Sequence, residues 1–241
     1  MRAAAVPFDV SLTGTGSRLQ RALLAATLAV GLVALYMAFV YAPKEATMGD
    51  VQRIFYFHVG AAWTACLAFF VVFLGGLAYL RTRDRRWDAL ALSSAEIGVV
   101  FTTITLATGS IWAKPAWGTW WTWDPRLTTT TVLWLIYVSY LILRGAIDEP
   151  ERRASFAAAV GIVGFVDVPI VFLSIRLWRT IHPVLVKSQG FDMEPPMVHA
   201  LLAALLACTL LYAYLLLVRT SLERRRLEVE AARQALGFHQ G

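Results

Sequence analysis

Charge is scarce in this chain. Only 16% of its 241 residues are Asp, Glu, Lys or Arg, against roughly 25% in an ordinary soluble domain, which argues against a water-soluble fold. Cysteine is scarcer still. Cys66 and Cys208 are the two present, each lies inside an apolar stretch, and no Cys-x-x-Cys occurs. That excludes a disulfide framework and a thiol-exchange motif, and both read as small core residues. No glycine-rich phosphate loop is found, so nothing points to nucleotide hydrolysis. Histidine is limited to four positions, 58, 182, 199 and 239, which narrows any imidazole chemistry to a few places.

What is abundant is apolar surface. Hydrophobic residues make up 58% of the chain, and they gather into six runs, at 22–42, 55–80, 90–112, 127–143, 155–175 and 198–218. About 18 consecutive apolar residues suffice to cross a bilayer as a helix. The fourth run is shorter, and the threonines and tryptophans before it extend it. The runs are continuous rather than alternating, which disfavours a closed barrel. The expectation is an all-α polytopic membrane protein with six transmembrane helices. The first run is too long for a typical signal-peptide core and lacks a clear cleavage site, so it reads as the first permanent span.

Arginine sets the orientation. Of the 22 lysines and arginines, fifteen fall on one side, in the N-terminal segment, the loops at 81–86 and 144–153, and the tail from Arg219. Seven fall on the other, at Lys44, Arg53, Lys114, Arg126, Arg176, Arg179 and Lys187. The arginine-rich short loops and both termini therefore face the cytoplasm. The bias accounts for the net charge of +6 and removes the need to invoke nucleic acid as a partner. Three parts follow: a cytoplasmic segment at 1–21, a six-helix membrane domain at 22–218, and a charged cytoplasmic tail at 219–241. The alternating charges of 221–234 predict a helical extension anchored at the lipid surface.

With that orientation the polar chemistry crowds the outer face. His58 opens the second helix, His182 lies in the third outer loop, and His199 sits near the start of the last helix. Between the first two in sequence stands a segment holding four of the nine tryptophans within seven residues, Trp117, Trp120, Trp121 and Trp123, followed by Asp124, Pro125 and Arg126. Tryptophan favours membrane interfaces because its ring is apolar with one polar N–H, so an anchoring belt is one reading. A flat surface for a flat ligand is the other. If 117–124 are helical, Trp117, Trp120, Trp121 and Asp124 share one face at helical spacing, with Trp123 pointing elsewhere. Asp124-Pro125 makes a good start for the fourth helix, with Asp as N-cap and Pro at the first helical position.

Aromatic surface beside histidines suits a metalloporphyrin, because two imidazoles can take both axial positions of haem iron and Lys114 or Arg126 can pair with propionates. Zinc fits less well, since it wants three or four protein ligands.

These residues also carry a family pattern. Trp117-Gly118-Thr119-Trp120-Trp121-Thr122-Trp123-Asp124-Pro125-Arg126-Leu127-Thr128 resembles the tryptophan-rich WWD domain of haem-handling proteins in cytochrome c maturation, and its ending is similar to the haem exporter protein C family. Phe55-Tyr56-Phe57-His58-Val59 and Trp178-Arg179-Thr180-Ile181-His182-Pro183 resemble that family's two histidine contexts. The resemblance covers about 20–218. It implies haem b as transported cargo with His58 and His182 as axial ligands, and a tryptophan segment at 112–126 flanking it. It also implies a bacterial inner-membrane location. The implied partners are a membrane-anchored periplasmic haem chaperone, the ATPase and membrane subunit of an ABC transporter, and a small one-span accessory subunit. No catalytic constellation is found, so a non-enzymatic transport component is expected. The competing readings are a secondary transporter, which would carry polar residues toward the midplane of several helices, and a scaffold subunit that binds no haem.

Two carboxylates lie within spans, Glu96 and Asp167. Each is expected to face the bundle interior, and Pro169 is expected to bend or interrupt the fifth helix.

Overall fold

A computed structural model describes residues 15–236 apart from 185, 188 and 189. His239, the end of the tail and the first fourteen residues lie outside the described part. Among the described residues, six helical stretches are long and apolar enough to cross a membrane: Arg18–Tyr41, Asp50–Thr82, Arg85–Trp117, Pro125–Ala146, Pro150–Leu177 and Pro195–Arg233. They coincide with the six apolar runs, so the chain is an all-α, six-span membrane protein.

Helix α1 (Thr15–Tyr36) ends in one wider turn, Met37–Tyr41, and packs on α7 (Pro195–Ala235). Helices α2 (Ile54–Thr82) and α3 (Arg85–Trp117) form the tightest pair. Their hairpin turns on Arg83 in the left-handed region, with φ 58°, and on Asp84, whose carboxylate caps α3 by accepting from the Arg86 N–H at 2.9 Å. Helix α4 (Pro125–Ala146) follows the tryptophan segment, and the fifth span is split into α5 (Pro150–Phe165) and α6 (Asp167–Leu177). The split is what Pro169 predicts. Proline lacks an N–H and collides with the carbonyl four residues back, here that of Phe165, so α5 stops there and Val166 turns the chain. α7 runs unbroken for 41 residues, so the charged tail continues the last span as one helix.

Hydrophobic burial does not drive helices together inside lipid, so close approach and interhelical hydrogen bonds carry the packing. Small residues give the approach. A Cβ on Gly98 would stand 2.5 Å from the Phe69 ring, and one on Gly161 2.8 Å from Val72. Phe69 is fully buried and stacks on Tyr137 with ring centroids 3.7 Å apart, joining α2 to α4. Polar side chains tie the remaining helices. The Ser94 hydroxyl donates to the Ala68 carbonyl at 2.7 Å and lies 2.8 Å from the Tyr212 hydroxyl. The Trp63 and Trp134 indoles donate to Thr209 and Thr103, and the Tyr137 hydroxyl donates to the Gly161 carbonyl.

The two carboxylates within spans differ. Glu96 is partly exposed and pairs with Arg219 of α7, which also holds Glu223 at 2.9 Å. Asp167 is half-buried at the start of α6, just after the break. A pair of two-residue strands, Val186–Lys187 and Gly190–Phe191, closes the third outer loop. The second strand begins at Gly190, whose φ of 114° is a conformation open to glycine.

Candidate functional site

The outer ends of α2, α3, α4 and α6 enclose a cavity of about 440 Å³, within the roughly 300–1,000 Å³ range of small-molecule sites. Its buried wall is apolar, with Leu133 and Val171 among the lining residues. Its outer end brings together His58, His182, Trp117, Trp121 and Arg126. Residues 124 positions apart in sequence thus share one space.

The two imidazole rings are neighbours, with centroids 6.4 Å apart and planes inclined by 34°. That separation leaves room for one metal ion between them with metal–nitrogen bonds of about 2 Å. For His182 the hydrogen bond fixes which nitrogen is free. His182 Nδ1 lies 3.3 Å from the Pro183 carbonyl. A carbonyl only accepts, so the proton sits on Nδ1 and Nε2 keeps its lone pair. His58 Nδ1 lies 3.1 Å from the Thr108 hydroxyl. Burial in the cavity pushes the His182 imidazole down to about 4, and the neighbouring Arg126 charge pushes the same way. The ring is therefore neutral near pH 7, the form that binds a metal. Among the described residues no group of three or more His, Cys, Asp or Glu could hold a metal ion. Two neighbouring imidazoles suit a metal whose other ligands come with it, as the iron of a porphyrin does.

The tryptophan segment departs from the sequence expectation. Residues 118–124 are not helical. Gly118 adopts φ 76°, donates to the Lys114 carbonyl at 3.0 Å and ends α3. Only six residues then remain before the Asp124 cap, too few for an independent helix. The expected single face of three indoles and a carboxylate does not form. Trp117 and Trp121 line the cavity, and Trp117 meets Trp112 edge-on at 5.0 Å. Trp120 and Trp123 are not among the lining residues. They are 57% and 80% exposed, and the Trp123 ring is held edge-on by Trp121 at 5.9 Å.

Asp124 does what a cap should and more. One carboxylate oxygen accepts from the Arg126 N–H at 2.9 Å, starting α4. The other accepts from the Thr180 hydroxyl at 2.6 Å and the Ile181 N–H at 3.0 Å. Thr180 in turn accepts from the His182 N–H at 2.9 Å. Asp124 thus touches no cavity space itself but ties the tryptophan segment to the loop that carries His182. Arg126 lines the cavity, with its guanidinium 6.0 Å from the Phe172 ring centroid. Lys114 does not line it. Its ammonium donates to the Gly118 carbonyl at 3.1 Å on the exposed end of α3, where a cation suits the helix dipole.

The cavity also takes in Trp112 and Arg176, and Thr108 stands beside His58. Arg176 lines the cavity at the outer end of α6 and was visible only as one of the seven outer cations. Thr108 and Gly109 were visible as small and polar residues near the outer end of an otherwise apolar run. His199 stands apart from this cavity, 3.2 Å from the Tyr41 hydroxyl.

The family model for heme exporter protein C matches residues 7–235. A heme exporter protein C from Bradyrhizobium diazoefficiens is 33% identical over 227 residues, 91% of this chain and 86% of that protein. One from Rhodobacter capsulatus is 32% identical, covering 93% of this chain and 94% of its own length. One from Escherichia coli K12 is 34% identical over 80% of this chain and 79% of that protein. With a family model spanning nearly the whole chain, the protein belongs to the heme exporter protein C family.

Proposed function

We propose that this protein binds haem at the periplasmic face of the inner membrane and presents it to a membrane-anchored periplasmic haem chaperone for c-type cytochrome biogenesis. It does so within a complex containing the ATPase and membrane subunit of an ABC transporter and a small one-span subunit. The observation that carries the reading is the pair of imidazoles of His58 and His182, ring centroids 6.4 Å apart, at the outer end of a largely apolar cavity that Arg126 and Arg176 also line.

His58 and His182 ligate the iron of haem b from opposite sides through Nε2. Trp117 and Trp121 cover porphyrin surface. Arg126, joined by Arg176, offers guanidinium donors that suit propionates in a charge-assisted, bidentate manner. Trp120 and Trp123, exposed at the outer surface, form the part of the platform that the chaperone reaches. Haem is cargo here, so the site must also release it. Release follows from weakening one axial bond, and the His182 loop, held through Asp124 and Thr180, is the element whose displacement does that. The protein is a transport and maturation component in this reading, and no step of covalent catalysis is required of it.

The test is an ultraviolet–visible spectrum of the purified chain, alone and with His58→Ala or His182→Ala. A haem Soret band with two nitrogen axial ligands is expected in the parent. Either substitution should weaken haem retention, abolish the six-coordinate spectrum and reduce loading of the chaperone. Variants with the parental haem content and unchanged axial-ligand spectra would refute the ligand assignment. A parent chain without any haem band would favour the scaffold reading.

A further inference from the structure

An imidazole ligand must be held in the tautomer that leaves the metal-facing nitrogen bare, and for His58 that task falls on α3. His58 Nδ1 lies 3.1 Å from Thr108 Oγ1. A threonine hydroxyl has one hydrogen to give. Thr108 gives it to the backbone, since Oγ1 stands 2.7 Å from the Ile104 carbonyl oxygen, with the Thr105 carbonyl at 3.2 Å as the alternative. Both are acceptors only. The hydroxyl is thus left as an acceptor toward the ring, His58 Nδ1 donates to it, and the proton is withheld from Nε2.

The next residue supplies the room. A Cβ built on Gly109 would touch His58 Nδ1 at an ordinary 3.6 Å but stand only 3.1 Å from Cε1, tighter than side chains usually come. Glycine inside a helix is unfavourable by about 1 kcal/mol relative to alanine. Here it permits the imidazole to lie directly against the helix. A hydroxyl and a gap, adjacent in sequence, fit one ring.

We propose that Thr108 and Gly109 form the seat of His58, with Thr108 a positioning residue that fixes the Nδ1–H tautomer and Gly109 the space that keeps the ring in place. The inference rests on the haem-binding reading above. Its chemical consequence goes beyond holding the ring. A hydrogen bond from Nδ1–H to an acceptor makes the imidazole a more basic ligand, and such outer partners typically change metal affinity by about 10–100-fold. A more basic ligand favours ferric over ferrous iron, so Thr108 also lowers the reduction potential of the bound haem.

The experiment uses the full chain purified in detergent with its bound haem, compared across Thr108→Val, Thr108→Ser, Gly109→Ala and His58→Ala. Valine keeps the shape and removes the acceptor. Haem retention in Thr108→Val is expected to fall on the order of 10-fold, and the reduction potential of the haem that remains to rise. Thr108→Ser should restore both. Gly109→Ala should lower retention with Thr108 intact. Thermal unfolding of the haem-free forms separates a lost seat from a lost fold, because a seat defect leaves the midpoint of Thr108→Val near the parent. Parental retention and potential in Thr108→Val would overturn the inference, as would a serine variant that behaves like valine. His58→Ala distinguishes the two levels. If it loses the six-coordinate spectrum while Thr108→Val changes nothing, the seat fails and the ligand assignment stands. If His58→Ala keeps the parental spectrum, the ligand assignment itself fails.

Discussion

Asp124 carries two structural duties on two oxygens, and a single substitution can separate them. Asparagine is as good an N-cap as aspartate, so Asp124→Asn keeps the bond to the Arg126 N–H. It cannot keep the other duty, because its amide nitrogen would meet the Ile181 N–H, donor against donor, where the carboxylate now accepts. Leaving such a partly buried group without its acceptor costs about 1–3 kcal/mol, and each 1.4 kcal/mol carried into affinity is about tenfold. Asp124→Asn is therefore expected to lower the thermal midpoint of the haem-free protein and, through the loosened His182 loop, to weaken haem retention roughly tenfold. Haem titration and a melting curve together check this. Asp124→Ala should add about 1 kcal/mol of lost capping, visible as a still lower midpoint. The capping duty was legible in the sequence, since an Asp-Pro pair before an apolar run specifies a helix start. The tether to Thr180 was not, because nothing in local spacing brings residues 124 and 180 together. For the same reason the placement of Trp112 and Arg176 on the cavity wall, and of Thr108 beside His58, was not legible, whereas His58 and His182 stood out by the rarity of histidine.

At the scale of elements, apolar runs gave six spans, and Pro169 gave the break in the fifth. The tryptophan segment misled because helical spacing was read across Gly118. Its left-handed conformation ends α3 one residue after Trp117 and sends Trp120 and Trp123 outward. Which helices pack together was not readable either, since lipid-facing and partner-facing positions are equally apolar. That information lies in small residues, and Gly98 is a sharp case. Phe69, whose ring a Cβ at 98 would meet at 2.5 Å, cannot withdraw, being fully buried and stacked on Tyr137. Gly98→Ala should thus destabilise the bundle by about 1–3 kcal/mol through overpacking, outweighing the better helix propensity of alanine. Thermal unfolding in detergent checks it, and a midpoint at or above the parent's would show that α3 shifts freely against α2.

Across the whole molecule ion pairs occur at both ends, local ones around Asp50 in the first outer loop and interhelical ones at the other end. The outer end holds the histidine cavity, while the cytoplasmic half holds ion pairs that lock helices to one another. Arg144 illustrates how topology and packing share a residue. In the sequence Arg144 is one more positive charge on the cytoplasmic side. In the fold its side chain and that of Asp88 are both 9% exposed, and the two form a bidentate pair joining α4 to α3, with the guanidinium 5.8 Å from the Tyr140 ring centroid. Breaking one partner of a buried pair strands the other charge and costs about 3–5 kcal/mol. Arg144→Gln alone should therefore melt far earlier than the parent, and Asp88→Asn alone likewise. The double variant Asp88→Asn/Arg144→Gln replaces two charges by two amides able to bond each other, so it should recover much of the loss. Orientation should not invert in any of the three, because the remaining arginines on the cytoplasmic side still outnumber those outside. A double variant as unstable as the sum of the singles would mean that the two charges act independently and that the α3–α4 lock lies elsewhere.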